Sequence, residues 1–438
     1  MNKISFLHLS DIHFVKSSNN PADIDRDLRN AILADLKVNA KRELANVSGI
    51  LVTGDIAFSG SELEYENAKD YLNEVSDIFS IMPSDIYCVP GNHDVDRGVA
   101  ASSTIISQAQ HLIDEHDSMD SADLAFAKSI ADCSYNGILF DPLRKYNEFA
   151  SRFNCNISAE RITWSRDFEL EHGLKLRLFG INSCYLSNSR DGLMYIGQAQ
   201  IPTRTIDTAV MLMCHHPPEC WRFKDDIIDR INKRADVQLY GHMHMQSAEL
   251  TEYNAVLFSG AIHPQRTNDW YPRYNWITIS SNIINGDRFL CIDIYPRILS
   301  DNRDRFQADT VSTSNGISLQ HSINFDNKRR LDLEDAYQEC TSNLNSDEGC
   351  ELLDSVGQEP IMPQIEVNER ELIYNFYELS IIRQMELLGR LELLSEEDKQ
   401  KSIASVLNNS IQRAKEQGKL KHLYDCVNEY ISKMEEIQ

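Results

Sequence analysis

The ten residues Asp85-Ile-Tyr-Cys-Val-Pro-Gly-Asn-His-Asp94 join a short apolar run to a glycine and three polar side chains. The apolar part predicts a buried strand, and the glycine allows a sharp turn directly after it because it has no Cβ to clash. Asn92, His93 and Asp94 would then lie at the carboxyl end of a strand, the edge at which open α/β sheets bind ligands. The stretch therefore predicts an α/β sheet with a functional site at this edge. A plain polar turn is the alternative for this fragment taken alone.

Four further polar clusters follow strand-like runs in the same way. They are Asp11-Ile-His13 after Ile4–Leu9, Gly54-Asp55 after Gly49–Thr53, His215-His216-Pro-Pro218 after Val210–Cys214, and Gly241-His242-Met-His244 after a weaker strand ending at Tyr240. Helical segments at about Ile24–Asn46 and Ser61–Phe79 separate the first three strands, a βαβ pattern typical of neighbouring parallel strands. Because the carboxyl ends of such strands share one edge of a sheet, we expect the five clusters to converge.

The side chains in these clusters are carboxylates, imidazoles and one amide, without a thiolate. This set suits manganese, iron, zinc or magnesium better than a soft metal. A carboxylate between two cations can bridge them and hold them roughly 3.5–4 Å apart, and such a pair clamps phosphate oxygens and lowers the pKa of water. A lone DxH, GD or HxH is more often a turn or surface feature, but five clusters in order predict a dinuclear metal site.

The series of motifs resembles the calcineurin-like metallophosphoesterase superfamily over about Met1–Pro296. The resemblance implies an α/β fold, a four-layer αββα sandwich, and a metal-dependent phosphoesterase with two divalent ions, manganese first and iron, zinc or magnesium as alternatives. The implied metal ligands are Asp11, His13 and His244 for one ion, Asn92, His215 and His242 for the other, and Asp55 as the bridge. Asn92 and His93 would contact the substrate phosphate, His93 would help to protonate the leaving oxygen, and Asp94 would orient His93.

Four further features of the sequence allow two interpretations each. We expect His216 to face backbone or to support the ligands, since His215 follows the strand directly. His263 could approach the substrate, although a structural role is favoured, and Arg97 could equally contact phosphate or lie on the surface. The aromatic stretch at residues 270–276 could stack a base, although packing at the start of a strand is favoured.

The chain is predicted to have three parts: a catalytic domain at residues 1–300, a linker and connecting helix at 301–367, and a helical interaction domain at 368–438. Within the first part, Asp96–Ile162 lacks clear strands and is interpreted as a helical insertion over the site. Asp301–Leu319 is polar and predicts a linker or an irregular edge. Beyond residue 368, apolar residues at helical spacing predict a separate bundle.

The composition constrains the compartment and the partners. Lys and Arg number 43 against 67 Asp and Glu, a formal net charge of −24. This balance gives no long-range attraction to nucleic acid or to an anionic membrane, although bound cations reverse the field locally. Ten cysteines without a CxxC pair predict reduced thiols in a cytoplasmic protein. No apolar run approaches the length of a membrane span, and a cleavable signal peptide would remove part of the site, so we expect neither.

The basic stretch Arg413-Ala-Lys-Glu-Gln-Gly-Lys-Leu420 lies in the helical tail. Short helical modules with such a stretch resemble the death-fold-like, effector-associated adaptor domains of prokaryotic conflict systems. The resemblance implies docking onto a sensor or NTPase partner, with the phosphoesterase as an effector of antiviral defence. A plain bundle that packs on the catalytic domain, or that forms homo-oligomers, is the alternative.

Three functional hypotheses follow. The first is a phosphodiesterase that acts on nucleic acid, a nuclease delivered or restrained by its tail. The second is a phosphodiesterase or phosphatase for small molecules such as cyclic nucleotides; the negative charge favours it, as does His215-His216-Pro-Pro218, which resembles small-molecule branches of the family. The third is a scaffold whose metal site is only structural, and the presence of His93 argues against it.

Overall fold

The structure, a computed structural model, describes residues 3–18, 21, 23–44, 46–131, 137–187, 193–262, 270–314, 316–330, 372, 375–376, 379, 381–395 and 403–435. The chain divides into two compact units, Met1–Ile323 and Asn324–Gln438. The predicted connecting helix lies almost entirely outside the described residues. His263 lies outside them as well.

The strands of the described residues, in chain order, are β1 (Ile4–Leu9), β2 (Val47–Val52), β3 (Ile86–Cys88), β4 (Trp164–Glu169), β5 (Lys175–Gly180), β6 (Thr208–Cys214), β7 (Val237–Tyr240), β8 (Ser247–Leu250), β9 (Ala255–Phe258), β10 (Arg273–Ile284), β11 (Asp287–Leu299), β12 (Phe306–Ala308) and β13 (Leu319–Asn324). The α-helices are α1 (Arg26–Asp35), α2 (Lys41–Glu43), α3 (Glu62–Phe79), α4 (Arg97–Ser102), α5 (Thr104–Asp114), α6 (Met119–Ala131), α7 (Arg144–Ser151), α8 (Lys224–Arg234), α9 (Ile381–Arg390), α10 (Ile403–Glu416) and α11 (Leu420–Glu435). A π-helical turn at Leu36–Ala40 joins α1 to α2.

The strands form two sheets. The first has the order β12-β11-β10-β1-β2-β3, with β13 also paired to β11, and the second has the order β4-β5-β6-β7-β9-β8. Strands β1, β2 and β3 are parallel to one another, as are β5, β6, β7 and β9. Every residue of β1 and β6 is buried, which explains why both read as continuous apolar runs instead of alternating ones.

The two sheets pack face to face through large aromatic side chains. The Phe6 ring of β1 lies 5.3 Å from that of Phe168 in β4, centroid to centroid. The Trp164 indole of the second sheet donates to the Cys88 carbonyl of the first, at 3.1 Å. Two sheets with flanking helices confirm the predicted α/β class.

The region predicted as a helical insertion contains α4 to α7 and a 3-10 turn at Ile138–Leu143. The Gln110 amide of α5 donates to the Tyr185 carbonyl at 3.0 Å, and the Tyr195 hydroxyl donates to Asp123 of α6 at 2.5 Å. These bonds attach the insertion to the segment after β5. A position of the insertion over the metal ligands stays a prediction.

The polar stretch Asp301–Leu319, interpreted as a linker or irregular edge, differs from that expectation in part. It contributes the edge strand β12, which pairs with β11 from Leu299↔Phe306 to Arg297↔Ala308, and it leads into β13. The first compact unit therefore extends past residue 300 to Ile323. The three-part division of the chain remains a prediction in its exact boundaries.

The second unit has a helical core of its own. Its buried residues are Leu372, Phe376, Leu379, Leu387, Leu388, Leu391, Leu393, Val406, Ile411, Ala414, Leu423, Cys426 and Val427. Gly418 takes a φ of +66° between α10 and α11, a left-handed turn that suits a residue without Cβ. Among the residues that the structure describes, no helix combines the length and the apolar character needed to cross a membrane.

Candidate metal centre

The predicted ligands meet because their strands end level with one another. In the first sheet Leu9 pairs with Val52, and Val52 pairs with Cys88. In the second sheet Cys214 pairs with Tyr240. Each polar cluster begins within a few residues of one of these ends, so the loops after β1, β2, β3, β6 and β7 share one edge of the sandwich.

The backbone at this edge is left-handed at five residues that are not glycine. Asp11, His13, Asp55, His242 and His244 have φ values between 50° and 66°. This region costs an L-residue roughly 1–2 kcal/mol, although Asp and His enter it more often than most. Backbone bonds from Asp11 N to Gly54 O (3.1 Å) and from His13 N to Asp55 O (3.0 Å) hold the first two loops in this shape. Such a cluster of unusual dihedrals is typical of functional sites.

Two glycines in these loops are required by space. A Cβ on Gly91 would lie 2.2 Å from Asp55 Oδ1, and a Cβ on Gly54, whose φ is +88°, would lie 2.6 Å from His215 Nδ1. Neither position has room for a side chain. The glycines therefore allow the loops to approach the ligands closely, as the sequence predicts.

Asp55 lies where two groups of ligands meet. Its Oδ2 is 3.7 Å from His13 Nε2 and 3.4 Å from His215 Nε2, and the residue is 1% exposed. The backbone N–H of His93 donates to its other oxygen at 2.8 Å. One carboxylate therefore faces imidazoles from both sheets, the placement that a bridging ligand needs.

The first group contains Asp11, His13 and His244, whose ligand atoms all lie within 4.8 Å of one another. His244 Nε2 is 3.1 Å from Asp11 Oδ1, while Ser10 Oγ donates to Asp11 Oδ2 at 2.5 Å. Burial opposes ionisation of Asp11, but its hydrogen bond with His244 and the nearby His215 keep its pKa below the usual range. Asp11 is therefore held as a carboxylate in a fully buried position.

The second group lies around His215. Its Nδ1–H donates to the Thr53 carbonyl at 2.8 Å, which leaves Nε2 to face Asp55 and, at 3.3 Å, Asn92 Oδ1. Burial lowers the pKa of His215, but the charge and hydrogen bond of Asp55, the charge of Asp11 and the Thr53 hydrogen bond together outweigh burial and raise it to about 9. A neutral imidazole, a carboxylate and an amide oxygen that converge without a donor between them need a cation. In the metal-free protein a proton takes that place, and the donor set fits a divalent ion.

His93 and Asp94 have partners different from those the resemblance implies. His93 Nδ1 bonds to the Phe58 carbonyl at 2.8 Å, and the two rings lie 5.3 Å apart. Asp94 instead accepts from the backbone N–H groups of Gly91, Ala57 and Ile56 at 2.9–3.2 Å and from the Tyr65 hydroxyl at 3.0 Å. The expected contact between Asp94 and His93 is thus replaced by a bond from His93 to backbone, because the four donors already fill the Asp94 carboxylate.

Asp94 is fully buried beside a second carboxylate. Burial raises its pKa to about 6, and the charge of Asp55 adds to the effect, although the backbone donors oppose it. Asp94 joins the loops after β2 and β3, and its hydrogen bonds do not include the His93 side chain. Its hydrogen bonds hold these two loops together.

The residues with two interpretations are placed as follows. His216 is buried, its Nδ1 lies 2.7 Å from Ser183 Oγ, and its ring centroid is 4.5 Å from that of His242. Arg97 is exposed at the start of α4. In the aromatic stretch, Tyr274 and Trp276 are buried within β10, as packing requires.

Several residues of this edge carry no signal in the sequence. The Thr53 carbonyl orients His215, Ser183 holds His216, and the Phe58 carbonyl orients His93. The Gln246 amide donates to Asn275 at 2.5 Å and ties the loop of His242 and His244 to β10. Two of these contacts are made by backbone carbonyls, which any residue type supplies, so residue patterns cannot reveal them.

Two stacked sheets with a buried carboxylate–imidazole edge define an α/β protein with a candidate metal centre. Residues 4–246, more than half of the chain, match the family model of the calcineurin-like phosphoesterases, and the chain belongs to this family. The membership confirms the predicted class, a hydrolase of phosphoric esters, in a family that normally uses a pair of divalent metals. Residues 368–429 match the GTPase-associated adaptor domain, which confirms the adaptor resemblance of the tail.

Similar proteins were found by sequence and by structure. The uncharacterized metallophosphoesterase-like protein YydB of Bacillus subtilis (strain 168) is 25% identical over 308 residues, 65% of this chain and 58% of that protein, so the chain spans less than two thirds of this relative. A predicted phosphoesterase from Streptococcus pneumoniae has 13% identity and a TM-score of 0.28, with 74% of this chain and 99% of that one covered. Vps29 of Chaetomium thermophilum has 10% identity and a TM-score of 0.29, with 73% and 97% covered.

Proposed function

We propose that this chain hydrolyses phosphodiester bonds with two divalent ions held by Asp11, His13, Asp55, Asn92, His215, His242 and His244. The observation that carries the proposal is the position of Asp55, whose Oδ2 lies 3.7 Å from His13 Nε2 and 3.4 Å from His215 Nε2, one imidazole from each sheet. The two bound ions would supply positive charge to the phosphate oxygens and lower the pKa of the attacking water. Manganese is the ion that we expect to support activity best.

The protein's own residues would position and protonate the substrate. His93 is only partly buried, and its ring lies 4.6 Å from that of His13, at the open side of the ligands. Because Nδ1–H donates to the Phe58 carbonyl, Nε2 is the nitrogen that would carry the proton that the leaving oxygen needs. The Phe58 bond also fixes the ring plane. Asn92, whose Oδ1 faces His215, would contact the phosphate beside its ligand role.

The test is hydrolysis of bis-p-nitrophenyl phosphate by the purified chain with manganese. Asp55→Ala should abolish activity and metal uptake together, because it removes the residue that both groups share. His93→Gln should lower kcat by about 10²–10⁴-fold, the usual loss of a general acid, while metal content by elemental analysis stays unchanged. Undiminished hydrolysis in both variants would disprove the assignment. A wild-type chain that binds metal but does not hydrolyse the substrate would support the scaffold hypothesis instead.

For the substrate we propose a nucleotide-containing phosphodiester, with nucleic acid as the first candidate. Phe58 (47% exposed), Met243 (46%) and Met245 (71%) are exposed around the ligands, and such side chains can stack against a base. A panel of single-stranded DNA, double-stranded DNA, RNA and cyclic nucleotides separates the hypotheses. Cleavage of the small molecules alone would exclude the nuclease and support the alternative.

We further propose that the tail docks the enzyme onto a protein that carries a GTPase. The support is the match of residues 368–429 to a GTPase-associated adaptor domain and the separate apolar core of this unit. The phosphoesterase would then act where that partner places it, which is how an effector of antiviral defence would be delivered.

A further inference from the structure

His216 is a buried imidazole with one nitrogen unaccounted for. The residue is 0% exposed, and Nε2 has no hydrogen-bond partner among the described residues. An unsatisfied buried polar atom destabilises the folded protein, so its position needs a compensating interaction. The sequence interpretation, in which His216 faces backbone or supports the ligands, assigns no partner to Nε2.

The other side of the ring is fixed by Ser183. Ser183 Oγ lies 2.7 Å from His216 Nδ1 and also accepts the backbone N–H of His216 at 3.4 Å. The serine therefore holds both the ring and the backbone of the residue. This arrangement matches that of His215, whose Nδ1–H is held by the Thr53 carbonyl so that Nε2 faces the ligands.

The imidazoles of His215, His216 and His242 form one cluster. One ring nitrogen of each lies within 4.8 Å of the others, and the His216 ring is 4.7 Å from that of His215 and 4.5 Å from that of His242. Since Nδ1 of His216 is held by Ser183, Nε2 is the atom that His216 offers to this cluster. The spacing of these nitrogens is one at which three imidazoles could hold a metal ion.

We propose that His216 Nε2 is an additional ligand of the ion held by Asn92, His215 and His242, beyond the set that the family resemblance implies. The inference rests on the proposed function, because it assumes a metal at this half of the site. With His216 as a ligand, the two halves of the site differ chemically. One ion has three imidazoles, whereas the other has two imidazoles and the Asp11 carboxylate. Nitrogen-rich sites favour zinc or iron, and the half with its own carboxylate suits manganese or magnesium.

The experiment is a titration of full-length, metal-free protein with Co²⁺, followed by calorimetry and by the visible absorption of the bound ion. We expect the wild type to bind two ions. His216→Ala should bind one ion unchanged and the other at least about tenfold more weakly, since even residues that only support metal ligands contribute 10–100-fold. The absorption of the fully loaded variant should change because one nitrogen ligand is lost, and added imidazole should restore it.

Ser183→Ala is the matched control, since it removes the support of Nδ1 but leaves Nε2 in the cluster; its loaded spectrum should equal that of the wild type. His216→Gln repeats the measurement if the alanine variant lacks a cooperative thermal transition in EDTA. Wild-type affinity in both His216 variants would overturn the inference, as would weaker binding with an unchanged loaded spectrum. A wild type that binds two ions and hydrolyses the model substrate keeps the proposed function in either case, whereas a wild type that binds fewer than two ions overturns both.

Discussion

Phe58 has two separate relations to the candidate centre. Its backbone carbonyl accepts from His93 Nδ1 at 2.8 Å, and its ring is 47% exposed beside the same imidazole. The ring also lies 6.1 Å from that of His13. The carbonyl is present in any residue, so substitution tests the ring alone. An exposed aromatic face next to the proposed proton donor is suited to stack against a group attached to the phosphate.

At the scale of this residue we predict that Phe58→Ala selectively weakens the binding of substrates that carry a base. Stacking of a base contributes about 1–3 kcal/mol, so KM for a dinucleotide should rise roughly tenfold. The KM for methyl p-nitrophenyl phosphate should change little, and Phe58→Tyr, which keeps an aromatic face, should resemble the wild type. Equal losses for both substrates would contradict stacking and would indicate that the ring only supports the loop.

The loops after β2 and β3 act as one element because Asp94 joins them. Its carboxylate accepts three backbone N–H groups, from both loops, and the Tyr65 hydroxyl of α3. Asp55 and Asn92 lie in these two loops. Their relative position therefore depends on the hydrogen bonds of this buried carboxylate, and we propose that Asp94 is a positioning residue.

For this element we predict that Tyr65→Phe lowers the free energy of unfolding by about 0.5–1.5 kcal/mol, the usual contribution of one hydrogen bond. Asp94→Ala should cost more, because it leaves three buried N–H groups unsatisfied. Tyr71→Phe is the matched control on α3: its hydroxyl is buried and has no hydrogen-bond partner among the described residues, so its loss should be neutral or slightly stabilising. Urea unfolding in EDTA measures all three, and equal values for the two tyrosine variants would contradict the positioning role.

Some secondary-structure elements are predictable from the sequence, and others are not. The ends of β1, β2 and β6 are predictable because continuous apolar runs stop at polar clusters, and Ser61 precedes α3 as expected. The strands β12 and β13 are short and polar, and pairing with β11 determines them more than propensity does. Three of the four bonds of Asp94 come from backbone N–H groups, which residue patterns cannot reveal, and the family resemblance implies His93 as its partner instead.

At the scale of the whole molecule, the structure gives two cations of the basic stretch Arg413–Leu420 partners within the tail itself. Arg413 donates to the Leu393 carbonyl at 2.5 Å, and Lys419 Nζ donates to the Leu391 carbonyl at 3.0 Å. Both cations therefore bind backbone oxygens just after α9 and stabilise the bundle from within. They are less suited to contact a partner than the pattern of charges suggests, although the match of this region to an adaptor domain stands.

We predict that deletion of residues 368–438 leaves manganese-dependent hydrolysis of bis-p-nitrophenyl phosphate unchanged and removes capture of a GTPase-domain partner. The two compact units have separate apolar cores, and such units fold independently in most proteins. Pull-down with a GTPase-domain protein from the same cell measures the second effect.

Full-length Leu391→Asp is the control for chain length. It places a charge in the tail core, where Leu391 is 6% exposed, and leaves the number of residues unchanged. It should behave like the deletion in both assays. Capture of the partner by the truncated chain would refute the adaptor role of the tail. Loss of hydrolysis together with loss of the thermal transition in the truncated chain would show instead that the catalytic unit needs its tail to fold, and the division at residue 323 would then not be one of independent domains.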